Sequence, residues 1–152
     1  MKIGVPKEIK PQENRIGLTP DSVKSLISNG HEVLVENNGG FEAGFDNQQY
    51  ESAGAKIVEK AEDIFNDSEI IVKVKEPLLN EVKMIRENQI VFTYLHLAAA
   101  KELTQGLINS KGVCIAYETV TDQNGRLPLL APMSAVAGRM SVQAGAHCLE
   151  KN

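Results

Sequence analysis

Six short apolar segments recur along the 152-residue chain, and their spacing limits the folds that the chain can adopt. They lie at residues 2–5, 31–36, 55–58, 70–74, 90–95 and 113–117. Segments with helix-start signals or helical apolar patterns lie between them, at residues 19–30, 46–54, 59–65, 78–87 and 98–110. Strands that alternate with helices at this spacing predict βαβ units. We therefore expect an α/β fold with an open, mainly parallel sheet and helices on both faces.

The last segment differs in composition from the predicted helices before it. Pro132 opens a predicted helix at residues 133–151 that is rich in small residues, namely Ala135, Ala137, Gly138, Ala144, Gly145 and Ala146. Such a helix can pack closely against another element. We expect residues 1–131 to form a Rossmann-like or flavodoxin-like domain and residues 132–152 to link it to a second domain.

Composition argues against several classes of function. The net charge of −4 provides no basic field for nucleic acid, and aromatic residues make up only 5% of the chain. No apolar run approaches the roughly 20 residues that a membrane-spanning helix needs. Cys114 and Cys148 lie in unrelated contexts, and no Cys or His pair has metal-ligand spacing. We expect a cytoplasmic protein that binds no nucleic acid, membrane or metal.

Charged side chains follow two of the predicted strands. Lys75 comes after the apolar run at residues 70–74, and His96 directly follows the run at residues 90–95. In open α/β sheets, ligands bind at the carboxyl ends of the strands, so these side chains share a crevice if the strands are neighbours. Lysine can hold a carboxylate or polarise a carbonyl, and histidine can exchange a proton near neutral pH. The alternative for His96 is an ordinary loop histidine.

Three other features leave alternatives open. Lys73 lies two residues before Lys75, and we expect it to be a snorkelling or paired edge lysine. Arg15 lies in a polar loop, where it either grips a carboxylate or is simply solvated. The glycine-rich residues 37–44 could cradle a phosphate, but no G-x-G-x-x-G or G-K-[ST] occurs, which favours a backbone turn. Without a nucleophile motif, these charges suit an oxo-acid or amino-acid substrate and a redox cofactor from elsewhere.

Five motifs together resemble the amino-terminal part of alanine dehydrogenases. They are MKIGVPKE at residues 1–8, NRIGLTP at 14–20, VKVKEP at 72–77, FTYLHLA at 92–98 and LAPMSAVAGR at 130–139. The resemblance implies NAD-dependent, reversible deamination of L-alanine to pyruvate and ammonium. It implies that Arg15 grips the substrate carboxylate, Lys75 contacts the carboxylate or carbonyl, and His96 is the catalytic acid and base. Ser134 matches a position that touches NAD.

The chain also departs from this family pattern. Members are more than twice as long, and a G-x-G-x-x-G domain with a second catalytic acid and a returning segment follow this region. The resemblance therefore implies a chain that is inactive alone, binds NAD poorly, exposes an apolar patch and self-associates, whereas full-length relatives are usually hexamers. The alternatives are a transhydrogenase α-subunit-like or saccharopine-dehydrogenase-like domain, or a non-catalytic carboxylate-binding or assembly module. The transhydrogenase subunit typically lacks the lysine and the histidine.

Overall fold

The computed structural model describes residues 1–150, and the chain divides into two compact units, Met1–Ala116 and Tyr117–Asn152. The strands are β1 (Lys2–Val5), β2 (Glu32–Glu36), β3 (Lys56–Val58), β4 (Ile70–Val72), β5 (Ile90–Thr93) and β6 (Val113–Ala116). The helices of the first unit are α1 (Pro20–Ser28), α2 (Asn47–Ser52), α3 (Ala61–Asp67), α4 (Leu79–Val82) and α5 (Lys101–Ser110). The second unit contains α6 (Ala131–Cys148).

All six strands form one sheet in the order β3-β2-β1-β4-β5-β6, and every neighbouring pair is parallel. The predicted α/β fold with an open parallel sheet is confirmed. The chain builds outward from β1 in one direction and from β4 in the other, so the strand order reverses between these two strands. In open parallel sheets, ligands bind outside the carboxyl ends of the strands at such a point.

Helices cover both faces of the sheet because apolar side chains alternate along its strands. In β2, Val33 and Val35 pack with α1 and α2 on one face, whereas Leu34 between them packs with α3 on the other. This period of two is the pattern of a strand that is buried on both sides. The core on the α3 side of the sheet continues across Ile71 and Val91 to α4 and α5.

Local sequence signals explain the starts of two helices. The hydroxyl of Thr19 accepts a hydrogen bond from the backbone N–H of Ser22, and Pro20 occupies the first position of α1. Asp46 and Gln49 form a reciprocal capping box at the start of α2. These side chains satisfy backbone N–H groups that a helix leaves unpaired at its first turn.

Several predicted boundaries are wrong where other bonds replace the regular ladder. The strand predicted at residues 70–74 ends at Val72, because the backbone N–H groups of Val74 and Lys75 donate to the side chain of Glu8. The helix predicted at residues 78–87 is only the short α4. After it, Met84 and Ile85 donate to carbonyls three residues back, which tightens the chain into turns.

Part of one sheet face carries exposed apolar side chains. The partner strands β5 and β6 align Ile90 with Val113 and Phe92 with Ile115, so these four side chains share a face. Val113 is 47% exposed and Ile115 is 40% exposed. We call Ile90, Phe92, Val113 and Ile115 the β5–β6 face.

The second unit contains a turn and a helix. The carboxylate of Asp122 accepts hydrogen bonds from the backbone N–H groups of Asn124 and Arg126, which forms a turn. Helix α6 begins at Ala131, two residues before the predicted helix start, and its described side chains are mostly exposed. Lys151, the predicted last helical residue, lies outside the described residues. Among residues 1–150, no helix is long and apolar enough to cross a membrane.

Candidate functional site

Three candidate residues lie at the same edge of the sheet. Arg15 belongs to the loop between β1 and α1, Lys75 to the loop after β4, and His96 to the loop after β5. Because these strands are parallel neighbours, their carboxyl ends meet at one edge. Lys75 is partly buried, whereas Arg15 and His96 are exposed. Their roles toward a substrate remain predictions.

The loops that carry Lys75 and His96 are tied together just beyond the ends of their strands. The hydroxyl of Thr93 donates to the carbonyl oxygen of Lys75 at 2.8 Å. The N–H of Tyr94 donates to the carbonyl oxygen of Val74 at 3.2 Å. These bonds continue the contact between the two neighbouring segments beyond Val72, the last residue of β4. The positions of the two loops therefore depend on each other.

His96 has an unusual backbone conformation. Its φ is +48°, in the left-handed region, where residues other than glycine are uncommon. The ring of His96 lies nearly parallel to that of Tyr94, with a centroid separation of 6.2 Å and an angle of 20° between the planes. Residues with an uncommon backbone conformation occur often at functional sites, where the surrounding structure offsets the strain.

Arg15 forms a two-point ion pair with Glu13. The Nε of Arg15 donates to one carboxylate oxygen at 2.7 Å, and Nη2 donates to the other at 2.6 Å. This hydrogen-bonded pair lowers the pKa of Glu13 below its ordinary value against the opposing effect of burial, and the Lys75 ammonium lowers it further. The pair also raises the pKa of Arg15, so the guanidinium remains charged. One carboxylate therefore lies within the electrostatic reach of both candidate cations.

Two further contacts seat the Arg15 loop against the end of β4. Lys10 pairs with Glu76, directly after Lys75. Burial raises the pKa of Glu76, but the hydrogen bond from Lys10, a bond from its own backbone N–H and the charges of Lys10 and Lys75 together outweigh burial, so the pKa lies below its ordinary value. Gly17 packs on the backbone of β4, where an added Cβ would lie 2.6 Å from the carbonyl oxygen of Val72.

Lys73 lies in an environment that differs from the predicted one. Its ammonium is buried, with the side chain 1% exposed, and it contacts Glu8 at 3.2 Å and Glu81 at 2.8 Å. The expected pairing is present, but snorkelling is wrong because the charged group points inward. We call Lys73, Glu8 and Glu81 the buried triad. A signal did exist, since Glu8 follows β1 just as Lys75 follows β4.

Two other sequence candidates lie in the loop after β2 and in the second unit. Residues 37–44 form a turn and a short 3₁₀ helix, Phe41–Ala43, and Gly40 packs against the ring of Tyr50. Ser134 lies in the first turn of α6 in the second unit, where it is exposed. Among residues 1–150, no group of three or more His, Cys, Asp or Glu side chains could hold a metal ion.

Residues 4–137 match the family model described as "Alanine dehydrogenase/PNT, N-terminal domain". The chain belongs to this family. It is 54% identical over 151 residues to an alanine dehydrogenase of Halomonas elongata, which covers 99% of this chain and 41% of that protein. It is 56% identical over 152 residues to an alanine dehydrogenase of Bacillus subtilis, covering 99% and 39% respectively.

Solved structures of family members show the same relationship. An L-alanine dehydrogenase superposes with a TM-score of 0.92 at 54% identity, covering 99% of this chain and 41% of that chain. A transhydrogenase from Sinorhizobium meliloti superposes with a TM-score of 0.75 at 27% identity, covering 81% and 36%. The chain therefore spans about two fifths of the length of these relatives.

Proposed function

We propose that this chain is the N-terminal, substrate-binding part of an NAD-dependent L-alanine dehydrogenase, an oxidoreductase that interconverts L-alanine and pyruvate with ammonium. The observation that carries the proposal is the placement of Arg15, Lys75 and His96 at one carboxyl edge of the sheet. Relatives that are 54% and 56% identical and carry the name alanine dehydrogenase support it. We further propose residues 1–131 as the substrate domain and residues 132–152 as a linking helix.

Each candidate side chain has a chemically distinct role in the proposal. Arg15 binds the carboxylate of alanine or pyruvate, because a planar guanidinium forms two parallel hydrogen bonds with a carboxylate. Lys75 contacts the same carboxylate or the carbonyl oxygen, where a positive charge stabilises developing negative charge. His96 gives and takes the proton that the reaction moves, since an imidazole titrates near neutral pH.

NAD is the proposed cofactor, and it supplies the hydride acceptor when bound. Ser134 is the residue of this chain that we propose to contact NAD, and its exposed position in the first turn of α6 fits contact with a polar ligand. The chain contains no G-x-G-x-x-G fingerprint. We therefore propose that most NAD contacts come from a separate domain and that residues 1–152 alone bind NAD weakly and do not turn over.

The test is a fusion of this chain to the remaining part of the Halomonas elongata relative. The measurement is NADH-dependent conversion of pyruvate and ammonium to alanine, with the unfused chain as the baseline. We expect His96→Asn to lower kcat by about 10²–10⁴-fold, the usual contribution of a general acid or base. We expect Arg15→Met and Lys75→Met to raise the KM for pyruvate by about 10-fold or more, because each removes a charged hydrogen bond.

His31→Asn is the matched control, because His31 lies just before β2, at the opposite edge of the sheet. This variant should keep the activity of the unsubstituted fusion. Wild-type kinetics in the His96 and Lys75 variants would refute the site assignment.

A transhydrogenase-like function is the second candidate, because the Sinorhizobium meliloti transhydrogenase has the same fold over most of this chain. The presence of both Lys75 and His96 in this chain favours the dehydrogenase, since the resemblance implies that the transhydrogenase subunit lacks this lysine and this histidine. The same fusion decides between them. Reduction of NAD by NADPH without any turnover of pyruvate would support the transhydrogenase instead.

We also propose that the protein is cytoplasmic and forms homo-oligomers, with a hexamer as the full-length assembly. The β5–β6 face supports self-association, because its strand side chains Val113 and Ile115 are 47% and 40% exposed. Contiguous exposed apolar side chains on a sheet favour contact with another protein surface.

A further inference from the structure

The buried triad has no assigned role in the proposed reaction, yet one of its members, Glu8, accepts a hydrogen bond from the backbone N–H of Lys75. All three of its members are buried, with Lys73, Glu8 and Glu81 exposed by 1%, 6% and 2%. Two carboxylates here share one ammonium. Burying such charges costs free energy, and apolar side chains of similar volume often stabilise a protein as well or better. Stability alone is therefore a weak explanation for this group.

Glu8 and Glu81 differ in the backbone N–H groups from which their carboxylates accept hydrogen bonds. One oxygen of Glu8 contacts the Lys73 ammonium at 3.2 Å. The other accepts from the backbone N–H of Val74 at 2.6 Å and from that of Lys75 at 3.3 Å. Glu81 also contacts Lys73, but its other oxygen accepts from the backbone N–H of Leu78 at the start of α4.

The position of Glu8 in the chain makes these bonds a link between two candidate residues. Glu8 and Arg15 belong to the same loop, which runs from β1 to α1. The bonds from Glu8 to the backbone of Val74 and Lys75 join that loop to the one that carries Lys75. Because the carboxylate is buried, water competes little for these bonds, which makes them stronger and more directional than surface bonds.

We propose that Glu8 is a positioning residue that fixes the backbone of Lys75 relative to the Arg15 loop, with the Lys73 ammonium holding the Glu8 carboxylate in place. The inference rests on the proposed function only in the role of Lys75 toward substrate. Glu8 does not touch the substrate. It acts by setting where the Lys75 side chain leaves the backbone, and therefore the separation between the two cations that hold the substrate.

The first measurement is amide hydrogen exchange by NMR in the 152-residue chain, which needs no substrate. An amide of nearly the same shape has one acceptor oxygen, so Glu8→Gln cannot serve both the Lys73 ammonium and the two backbone N–H groups. We expect exchange at Val74 and Lys75 to accelerate by about 10-fold, the factor that corresponds to one lost hydrogen bond. Glu81→Gln should leave these two amides protected, although it also removes a partner of Lys73.

Should Glu8→Gln fail to fold, Glu8→Asp provides the same test. It keeps the charge but shortens the side chain by one methylene, so the carboxylate cannot reach Lys73 and the two amides together. Unchanged exchange at Val74 and Lys75 in the folded Glu8 variant would overturn the proposal. So would an equal acceleration in Glu81→Gln.

The second measurement places Glu8 in the proposed reaction, with sodium pyruvate as the probe and the fusion as the enzyme. We expect Glu8→Gln to lower kcat/KM for pyruvate by about 10-fold. In a fusion that already carries Lys75→Met, the same substitution should lower kcat/KM by less than about twofold, because the effects of coupled residues are not additive. Gln89→Met controls for stability. It removes two buried bonds to the carbonyls of Phe65 and Ser68, before β4 begins, and should leave kcat/KM unchanged.

The two measurements separate the failure of the inference from the failure of the proposed function. A fusion that never converts pyruvate would refute the function, while hydrogen exchange would still decide whether Glu8 holds the Lys75 backbone. Equal losses of kcat/KM from Glu8→Gln with and without Lys75 would refute the positioning role even in an active enzyme.

Discussion

Lys73 and Lys75 show how differently two lysines can behave when they lie two residues apart. Lys75 lies in the loop after β4, as the sequence indicates, although the strand ends at Val72 rather than at Val74. The burial of Lys73 could not be predicted from the residues next to it in the sequence. Its partner Glu8 lies 65 residues away along the chain, and only the pairing of β1 with β4 brings their loops together.

The buried triad leads to a prediction on stability. Lys73→Met should lower the free energy of unfolding by about 3–5 kcal/mol, because it leaves the Glu8 and Glu81 carboxylates buried without a counter-ion. Urea denaturation measures it. Lys111→Met is the matched control, since the Lys111–Glu87 pair is 68% and 61% exposed and such pairs contribute about 0–1 kcal/mol.

Adding Glu8→Gln and Glu81→Gln to Lys73→Met should recover part of that loss, because no buried charge is then left unpaired. Equal, small losses from Lys73→Met and Lys111→Met would mean that the buried charges do not depend on Lys73.

At the scale of elements, the sequence predicted existence and type better than length. All six predicted strands are present. The predicted starts of α1 and α2 are confirmed, because each cap forms between residues that are close in sequence, Thr19 with Ser22 and Asp46 with Gln49. Lengths were wrong where a distant residue supplies the hydrogen bonds. The early end of β4 depends on Glu8, which no local pattern around residues 70–74 can indicate.

Gly17 provides a test of how closely the Arg15 loop must pack on β4. An added Cβ would lie 2.6 Å from the carbonyl oxygen of Val72, and backbone cannot move aside as a flexible side chain can. We expect Gly17→Ala to cost about 1–3 kcal/mol in unfolding free energy, as overpacking usually does. It should also lower kcat/KM for pyruvate in the fusion, because it displaces the loop that carries Arg15.

Gly44→Ala is a useful comparison for Gly17→Ala. Gly44 has a φ of +88° with nothing within 4 Å of an added Cβ, so alanine there meets strain without a clash. A stability loss of about 1–2 kcal/mol with unchanged kcat/KM is expected. If Gly17→Ala likewise left kcat/KM unchanged, close packing of this loop would not matter for substrate binding.

At the scale of the whole molecule, the parallel sheet explains why candidate residues could be grouped from sequence. A parallel sheet places all carboxyl strand ends at one edge, so residues after different strands share an edge once the strands are neighbours. The pairing of β4 with β5 meets that condition for Lys75 and His96. Side-chain convergence on a substrate is a finer matter, because it depends on loop bonds such as that from Thr93 to Lys75.

The β5–β6 face leads to a prediction on assembly. Because Val113 and Ile115 are 47% and 40% exposed on neighbouring positions of one sheet face, we expect the chain to self-associate in a concentration-dependent way. Sedimentation velocity across a range of protein concentrations measures this. The double variant Val113→Thr and Ile115→Thr keeps β-branched side chains, and hence strand propensity, while it removes apolar contact area.

This variant should shift the chain toward the monomer at concentrations where the wild type associates. Ile108→Thr is the matched control, because Ile108 is 64% exposed but lies on α5 rather than on the β5–β6 face. If all three proteins associated equally, the contact would lie elsewhere on the chain. If Ile108→Thr alone dissociated, the outer surface of α5 would be the interface, and the exposed strands would need a different explanation.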